Sequence, residues 1–315
     1  MIELIVNPLI LAFSLFLLAS TSHFTIKSIE KLIGLSGLSE ASVGFVILAV
    51  LTSTPEMTVA LFAILQGEPG ISVGDILGSN VFNMAAVLGI LGMLGYLKTC
   101  CTDLLIELTD ILLITTLIPL LLIISHFHIF DVASPVVGVI LLGTFLINTY
   151  LMTKKRTPRV KANADKTVEK ESLKKAITIL LLGFVGVVIA ARLVVYSGSN
   201  IALLLGVPPI LIGAKVVAIG TSLPELTLDF AAVRRGRVQL AIGDVIGSNL
   251  TNLTLVLGLV LLVSPFAVDM TIFTEILPFL MITTVIFWRF LTRGGVSQVG
   301  GIVLTMTYIL FQAVT

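Results

Sequence analysis

Two segments of this chain are copies of one another. Residues 44–90 align with residues 213–259 without a gap, and eighteen of the 47 aligned positions are identical. Shared apolar composition matches leucine with leucine by chance, but it does not align acids, a proline, hydroxyls and amides. The aligned polar and proline pairs include Thr52/Thr221, Ser53/Ser222, Pro55/Pro224, Glu56/Glu225, Asp75/Asp244, Ser79/Ser248 and Asn83/Asn252. The sequence therefore predicts two copies of one structural unit.

The composition predicts an integral membrane protein. Hydrophobic residues make up 57% of the 315 and charged residues only 12%, with a mean hydropathy of +1.14. Apolar runs of about 20 residues, enough for a helix to cross the hydrocarbon layer, recur along the whole chain. They predict an all-α fold with about ten transmembrane helices, near residues 6–31, 40–66, 71–95, 103–126, 129–152, 174–199, 208–233, 238–263, 270–291 and 297–315.

A basic segment divides the chain into two halves. Nine of the 19 lysines and arginines fall between Lys154 and Lys175. We interpret residues 153–173 as a cytoplasmic linker, with five-helix repeats at 1–152 and 174–315 on either side. Both termini should then face the extracytoplasmic compartment of a multi-pass protein in the cell membrane. The linker is too short for a folded regulatory domain.

An odd number of spans in each unit has a structural consequence. With five spans per repeat, the second copy enters the membrane from the side opposite to the first, so the repeats are inverted. Two related halves around a site at the membrane midplane can exchange inward-facing and outward-facing forms at similar energy. This architecture is typical of transporters that work by alternating access.

Glu56 and Glu225 are predicted to lie in the middle of apolar spans. A charge there costs a few kcal/mol by insertion scales, so something must offset it. In the matching half-spans Lys215 is the one basic candidate, but it precedes Glu225 by about 15 Å of helix. A bound cation is the better explanation, and protonated or hydrogen-bonded structural carboxyls are the alternative.

The residues around these glutamates favour a cation site. In T-S-T-P-E and T-S-L-P-E the proline removes a backbone donor and disfavours helix just before it, so each helix should break and free carbonyl oxygens. Broken backbone inside a membrane is tolerated where it lines a cavity or is buried in protein. Four hydroxyls lie beside the breaks, on Thr52, Ser53, Thr221 and Ser222. We interpret them as cation ligands, and the alternative is that they only hydrogen-bond back to their own helix.

The second part of each copy contributes G-D-x-x-G-S-N-x-x-N, whose glycines permit close approach of helices and a kink. Its polar residues recur every four positions and so share one helix face. The two stripes are Asp75, Ser79 and Asn83, and Asp244, Ser248 and Asn252. The serines and asparagines are expected opposite the glutamates, with the aspartates one turn nearer the membrane surface on a possible ion path. For Asn80 and Asn249 we expect helix packing or capping rather than ligation.

This set of oxygens, with no thiol or histidine near the motifs, suits a hard cation. Calcium takes six to eight oxygens in a forgiving geometry, whereas zinc and copper prefer nitrogen and sulfur. Two glutamates match one divalent ion, and sodium ions or protons could replace it by competition. We expect no cofactor, no obligate protein partner and no nucleic acid; the basic connections should set topology or contact lipid. A channel is a remote alternative, and an intramembrane enzyme lacks a nucleophile with a base or a metal-binding histidine set.

The duplicated T-S-x-P-E and G-S-N-x-x-N elements resemble the two alpha-repeats of the calcium/cation antiporter superfamily, most closely its prokaryotic sodium/calcium exchanger branch. The resemblance implies a ten-helix secondary transporter, not an enzyme, that carries three sodium ions against one calcium. It implies ion ligands between the second, third, seventh and eighth helices. These are Glu56, Glu225, Ser79, Asn83, Ser248, Asn252, Thr52, Ser53, Thr221 and Ser222, with backbone oxygens of Ala49 and Ala218 at a sodium ion.

Three features depart from the family pattern. Leu51 stands where the second copy has Gly220, and asparagine occupies both Asn83 and Asn252, where some members have one acid. Asp75 and Asp244 replace common asparagines, and these extra acids keep a Ca²⁺/H⁺ antiporter open as the alternative. Sodium is favoured because the hydroxyl-rich T-S elements resemble sodium sites.

Overall fold

The computed structural model describes residues 2–33, 48–98, 102–126, 133–154, 166–206, 208–264 and 270–315. Within these ranges the regular secondary structure is helical throughout. In chain order the helices are α1 (Ile2–Ile33), α2 (Ala49–Leu65), α3 (Pro69–Met93), α4 (Asp103–Ile124), α5 (Ser134–Lys154), α6 (Lys166–Leu205), α7 (Ile210–Arg234), α8 (Val238–Val263), α9 (Met270–Leu291) and α10 (Gln298–Val314). The predicted all-α fold of ten helices in two five-helix repeats is confirmed.

Helix length and hydropathy fit a bilayer. Within the described residues, α3, α4, α7, α8 and a 22-residue part of α6 are each long and apolar enough to cross a membrane. Shorter apolar helices lie within α1, α2, α5 and α10. Large apolar side chains are exposed on the outer helices, among them Phe16, Leu146 and Val299. Such an apolar exterior is what lipid requires of a spanning protein.

Helices extend into the basic segment from both sides. Helix α5 extends to Lys154, and α6 starts at Lys166 rather than near residue 174. The second half of the expected linker is therefore helical, because the sequence after Lys166 contains neither proline nor glycine before Gly183. Residues 155–165 lie outside the described residues, as do residues 44–47 of the first alpha-repeat.

Both predicted helix breaks are present. In α2 the helix stops at Thr52 and restarts at Thr54, with Ser53 at φ −73° and ψ 1° between them. In α7 the break lies at Ser222, with φ −92° and ψ 6°. Each proline occupies the first turn of the new helix, where its missing N–H disturbs no hydrogen bond.

The third and eighth helices each contain a turn of π-helix. These turns span Phe82–Val87 in α3 and Asn252–Val256 in α8, and each includes the last asparagine of the G-D-x-x-G-S-N-x-x-N motif. A π turn inserts one extra residue per turn and shifts the side chains that follow around the helix axis. Such turns are frequent at functional sites.

The core of the molecule lies around α3 and α8, which are buried over most of their length. Helix α1 packs along α6 at one side of this core. Close approach of α3 to α7 depends on Gly74 and Gly78, where an added Cβ would overlap the backbone of Ile210 and Ala214. The motif glycines therefore bring α3 of the first repeat directly against α7 of the second.

Candidate cation site

The two motif glutamates lie in the first turn after the helix breaks. Glu56 and Glu225 are fully buried. Glu56 Oε1 accepts a hydrogen bond from Ser222 Oγ of the opposite repeat at 3.3 Å. Glu56 Oε2 and both carboxyl oxygens of Glu225 have no hydrogen-bond partner among the described residues. Most of the carboxyl oxygens of this pair are thus free to face a cation.

The threonines of each repeat reach across to the aspartate of the other. Thr52 Oγ1 donates to Asp244 Oδ1 at 3.1 Å, and Thr221 Oγ1 donates to Asp75 Oδ1 at 2.8 Å. All four side chains are fully buried. Asp75 and Asp244 therefore belong to the same polar cluster as the T-S-x-P-E motifs. Equivalent residues of the two repeats thus make equivalent contacts to the opposite repeat.

The motif serines make different contacts in the two repeats. Ser248 Oγ lies 2.7 Å from Thr52 Oγ1, and Ser53 Oγ donates to the carbonyl oxygen of Ser248 at 3.5 Å. Ser79 Oγ instead donates to the carbonyl oxygen of Asp75 in its own helix at 2.5 Å. The structure thus brings Ser53 and Ser248 together across the repeats, while Ser79 bonds back to α3.

The asparagines join α3 to α8. Asn83 Nδ2 donates to Asn249 Oδ1 at 3.4 Å, and Asn252 Nδ2 donates to Asn80 Oδ1 at 3.3 Å. Asn80 Nδ2 also donates to the carbonyl oxygen of Asn249 at 3.1 Å. Asn80 and Asn249 therefore hold the two helices together. The Oδ1 atoms of Asn83 and Asn252 remain without a partner among the described residues, and so stay available as acceptors.

The alanine carbonyls at the breaks are already engaged. Ala49 O accepts from Ser53 N at 3.0 Å, and Ala218 O accepts from Ser222 N at 3.2 Å. Thr52 Oγ1 and Thr221 Oγ1 each lie 3.3 Å from the alanine carbonyl of their own repeat, but each hydroxyl has one proton, which the aspartate of the other repeat accepts. A carbonyl oxygen has two lone pairs, so each alanine oxygen keeps one for a sodium ion.

Asp229 is a buried acid that the sequence reasoning missed. It lies one helical turn after Glu225 in α7 and is fully buried, and both of its carboxyl oxygens lack a donor within the described part of the chain. Its equivalent in the first repeat is Ala60. Selecting only the residues that recur in both copies excluded Asp229. Asp229 could still have been found from the sequence, because it is an acid inside an apolar span, four residues after the motif acid Glu225.

Five carboxyl groups are thus buried together: Glu56, Asp75, Glu225, Asp229 and Asp244. Hydrogen bonds across the repeats bring these segments together, since Thr52 bonds to Asp244, Thr221 to Asp75 and Ser222 to Glu56. Lys215, ten residues before Glu225 in α7, points elsewhere, since its Nζ donates to the carbonyl oxygen of Gln312 at 3.2 Å. Bare carboxylates this close in a low-dielectric interior repel each other strongly. Cations that enter the cluster would relieve this repulsion.

The arrangement differs from a compact carboxylate cage. Within the described residues, no three acidic, histidine or cysteine side chains converge tightly enough to hold a metal ion by themselves. Any cation here would complete its shell with the hydroxyl and amide oxygens that lie between the acids. Such a mixed shell of carboxylate, hydroxyl and amide oxygens is of the kind that hard cations accept.

Comparisons with known proteins agree on one family. The sequence profile described as sodium/calcium exchanger protein matches residues 6–154 and 175–315. The sodium/calcium exchanger MaX1 of Methanosarcina acetivorans is 31% identical over 345 aligned positions, covering 98% of both chains. The inner membrane protein YrbG of Escherichia coli is 27% identical, covering 88% of this chain and 86% of its own.

A solved structure extends this agreement to the fold. The sodium-calcium exchanger NCX_Mj, soaked with 2.5 mM Na⁺ and 10 mM Sr²⁺, superposes with a TM-score of 0.72. Its sequence is 26% identical, and the match covers 99% of both chains. The ten helices that the structure describes therefore follow the architecture of that exchanger.

Proposed function

The chain belongs to the sodium/calcium exchanger protein family, and we propose that it is a secondary active antiporter that exchanges Ca²⁺ for Na⁺ by alternating access. Membership of this family makes it a cation exchange transporter of the membrane. Sodium as the counter-ion goes beyond what family membership alone gives, and it is part of what we propose. MaX1 and NCX_Mj are both named as sodium/calcium exchangers, and this supports it.

One observation carries the proposal: a set of buried oxygens without hydrogen-bond donors in the described residues converges from four helices of two repeats. An acceptor left unpaired in a dry interior costs about 1–3 kcal/mol, and more when it is charged. A protein retains such groups where a ligand satisfies them. The atoms are Glu56 Oε2, Asp75 Oδ2, Asn83 Oδ1, both carboxyl oxygens of Glu225 and of Asp229, Asp244 Oδ2 and Asn252 Oδ1.

Competition for the two glutamates accounts for exchange. One calcium ion neutralises Glu56 and Glu225, and sodium ions can neutralise the same pair. Binding both substrates at once would place their positive charges side by side, so each ion expels the other. An empty site would leave bare buried carboxylates, so the empty carrier should rarely change between its two forms. Obligatory exchange follows.

The two broken helices, one in each repeat, would let ions reach the site from either side of the membrane. The Thr52–Asp244 and Thr221–Asp75 contacts are equivalent in the inverted repeats. We propose that one contact tightens while the other loosens as the carrier changes from inward-facing to outward-facing. We also propose that the segment between α5 and α6 is cytoplasmic and that both termini are extracytoplasmic, in keeping with its basic residues.

A proton-coupled exchanger is the second candidate. It is favoured by the three fully buried aspartates, Asp75, Asp229 and Asp244, each of which has at least one carboxyl oxygen without a donor among the described residues. Each could take up a proton when calcium leaves. The sodium assignment rests on the hydroxyls beside the glutamates, and the proton assignment rests on these aspartates.

Calcium-45 uptake into proteoliposomes separates the two candidates. One set of vesicles is loaded with sodium at matched internal and external pH, and another is loaded with potassium and given a proton gradient. The proposal predicts uptake driven by the outward sodium gradient alone. Uptake that requires the proton gradient and ignores sodium would replace it with Ca²⁺/H⁺ exchange.

A further inference from the structure

One exposed cation lies inside an apolar span. Arg192 falls near the middle of Leu181–Ala202, the part of α6 that is long and apolar enough to cross a membrane. Its side chain is exposed, and it shares a helix face with Val185, Ile189 and Tyr196, which are each more than half exposed. This face is part of the apolar exterior that lipid covers. A charge at such a position is costly unless an anion accompanies it.

The guanidinium of Arg192 contacts an aromatic ring but not an acid. Its Cζ lies 6.0 Å from the centroid of the Phe62 ring on α2, a cation–π contact between the two helices. Arg192 makes no hydrogen bond or ion pair within the described part of the chain. The ring restricts the position of the guanidinium and leaves its N–H donors free. A guanidinium in this state can bind two oxygens of a phosphate at once.

An open groove between α2 and α6 surrounds this guanidinium. It has a volume of about 580 Å³ and is lined by Phe62, Leu65, Gln66, Arg192, Leu193 and Tyr196. Phe62 lies in the last turn of α2, and Gln66 begins the polar turn that follows. The guanidinium therefore lies where α2 changes from apolar to polar. A phospholipid makes the same change between its acyl chains and its phosphate.

The charge of the groove selects among lipids. None of its six lining residues is acidic. The ammonium group of a choline or ethanolamine headgroup would bring a second positive charge close to Arg192, and no lining residue would bind it. Phosphatidylglycerol carries a net negative charge and no cation in its headgroup. The groove therefore favours an anionic lipid over a zwitterionic one.

We propose that the groove between α2 and α6 binds one anionic phospholipid, whose phosphate pairs with Arg192 and whose acyl chain lies along Leu65 and Leu193. The bound lipid connects α6 to the part of α2 that follows Glu56. In the orientation that we propose for the chain, this lipid belongs to the extracytoplasmic leaflet. None of the groove residues is a ligand in the cation site, so the proposal holds whichever ion is exchanged.

Lipid binding to the purified protein tests the site. Radiolabelled phosphatidylglycerol is titrated into the protein in neutral detergent micelles, with an excess of phosphatidylcholine that has the same acyl chains. The unaltered protein should retain one phosphatidylglycerol per chain. Arg192→Gln should bind this lipid about tenfold more weakly, the loss expected for a charge-assisted pair.

Further variants separate the contributions of charge, fork geometry and ring. Arg192→Lys keeps the charge but cannot offer two parallel N–H donors, so its affinity should be intermediate. Phe62→Leu keeps an apolar wall without the ring and should weaken binding severalfold. Arg289→Gln is the matched control, because Arg289 is exposed in the last turn of α9 and does not line the groove. It should bind the lipid like the unaltered protein.

Thermal unfolding distinguishes lipid binding from a packing role of Arg192. A ligand that binds only the folded protein raises its melting temperature. Phosphatidylglycerol should raise the melting temperature of the unaltered protein and of Arg289→Gln by several degrees. Arg192→Gln should lose most of this increase and melt normally in phosphatidylcholine. A variant that melts early in both lipids yet retains phosphatidylglycerol would show that Arg192 only packs α6 against α2.

Three binding results would also overturn the lipid site. The first is equal retention of phosphatidylglycerol and phosphatidylcholine by the unaltered protein, and the second is full affinity in Arg192→Gln. The third is displacement of the bound lipid by soluble glycerol phosphate at a similar concentration, because the groove would then take a free anion rather than a lipid.

Discussion

The two repeats share a backbone plan but differ in their side chains. Both break at the serine of T-S-x-P-E, and both carry a π turn at the last motif asparagine. Beyond that frame, the second repeat has Gly220 in place of Leu51 and Asp229 in place of Ala60. In the mechanism we propose, the duplicated residues build a pseudo-symmetric frame for ions and for alternating access, whereas the unique residues make the two sides electrostatically unequal.

The glutamates are the strongest test of the shared part. Glu56→Gln and Glu225→Gln should each abolish calcium exchange, because either change removes half of the charge that offsets calcium. Calcium-45 uptake into sodium-loaded proteoliposomes measures the effect. Glu107→Gln, on an exposed face of α4, is the control and should transport normally. Full transport by either buried variant would refute the assignment of the glutamates.

The two threonines should give unequal effects. Thr221→Val removes the donor to Asp75, whereas Thr52→Val removes the donor to Asp244 and the contact with Ser248. Interhelical hydrogen bonds in membrane proteins contribute about 1–2 kcal/mol each at most. We expect both variants to lose sodium affinity, Thr52→Val more than Thr221→Val, as measured by the sodium dependence of calcium uptake. Equal losses would argue that the two sides are equivalent.

The asparagine contacts between α3 and α8 test packing rather than transport. Asn80→Ala removes two contacts to the second repeat and should destabilise the protein by about 1 kcal/mol. Thermal unfolding in detergent measures this loss. Calcium affinity of the folded fraction should change less than in the glutamate variants. An Asn80→Ala protein of normal stability that binds no calcium would make Asn80 a ligand instead.

The glycine unique to the second repeat should have the smallest effect. An added Cβ at Gly220 would overlap the side chain of Leu15 on α1. Gly220→Ala is expected to destabilise the fold by about 1 kcal/mol, since the flexible end of Leu15 must move. Leu51→Ala, at the partly buried equivalent position, should have little effect on the melting temperature. A more stable Gly220→Ala variant would show that α1 adapts freely.

The sequence predicted the features that recur. The repeat defined the helix breaks at Ser53 and Ser222, and proline chemistry explains why they occur there. The burial of Glu56 and Glu225 followed from the hydropathy of the surrounding spans. These predictions required only local periodicity and the comparison of one half of the chain with the other.

Contacts between the repeats could not be predicted in the same way. That Thr52 bonds to Asp244 depends on how α2 packs against α8, and neither helix encodes this in its own periodicity. The hydroxyl of Ser79, a predicted ion ligand, donates to its own helix, and this contact leaves its oxygen lone pairs for an ion. Asp229 was missed because it has no copy, although a lone buried acid affects the charge of the site as strongly as a duplicated one.

Equilibrium calcium-45 binding to the purified protein tests the central claim most directly. The claim is that one buried set of oxygens from both repeats binds calcium and sodium in competition. We predict that high sodium displaces calcium while potassium does not, and that Glu56→Gln and Glu225→Gln each abolish binding. Calcium that stays bound in high sodium, or that binds normally to both glutamate variants, would contradict the account.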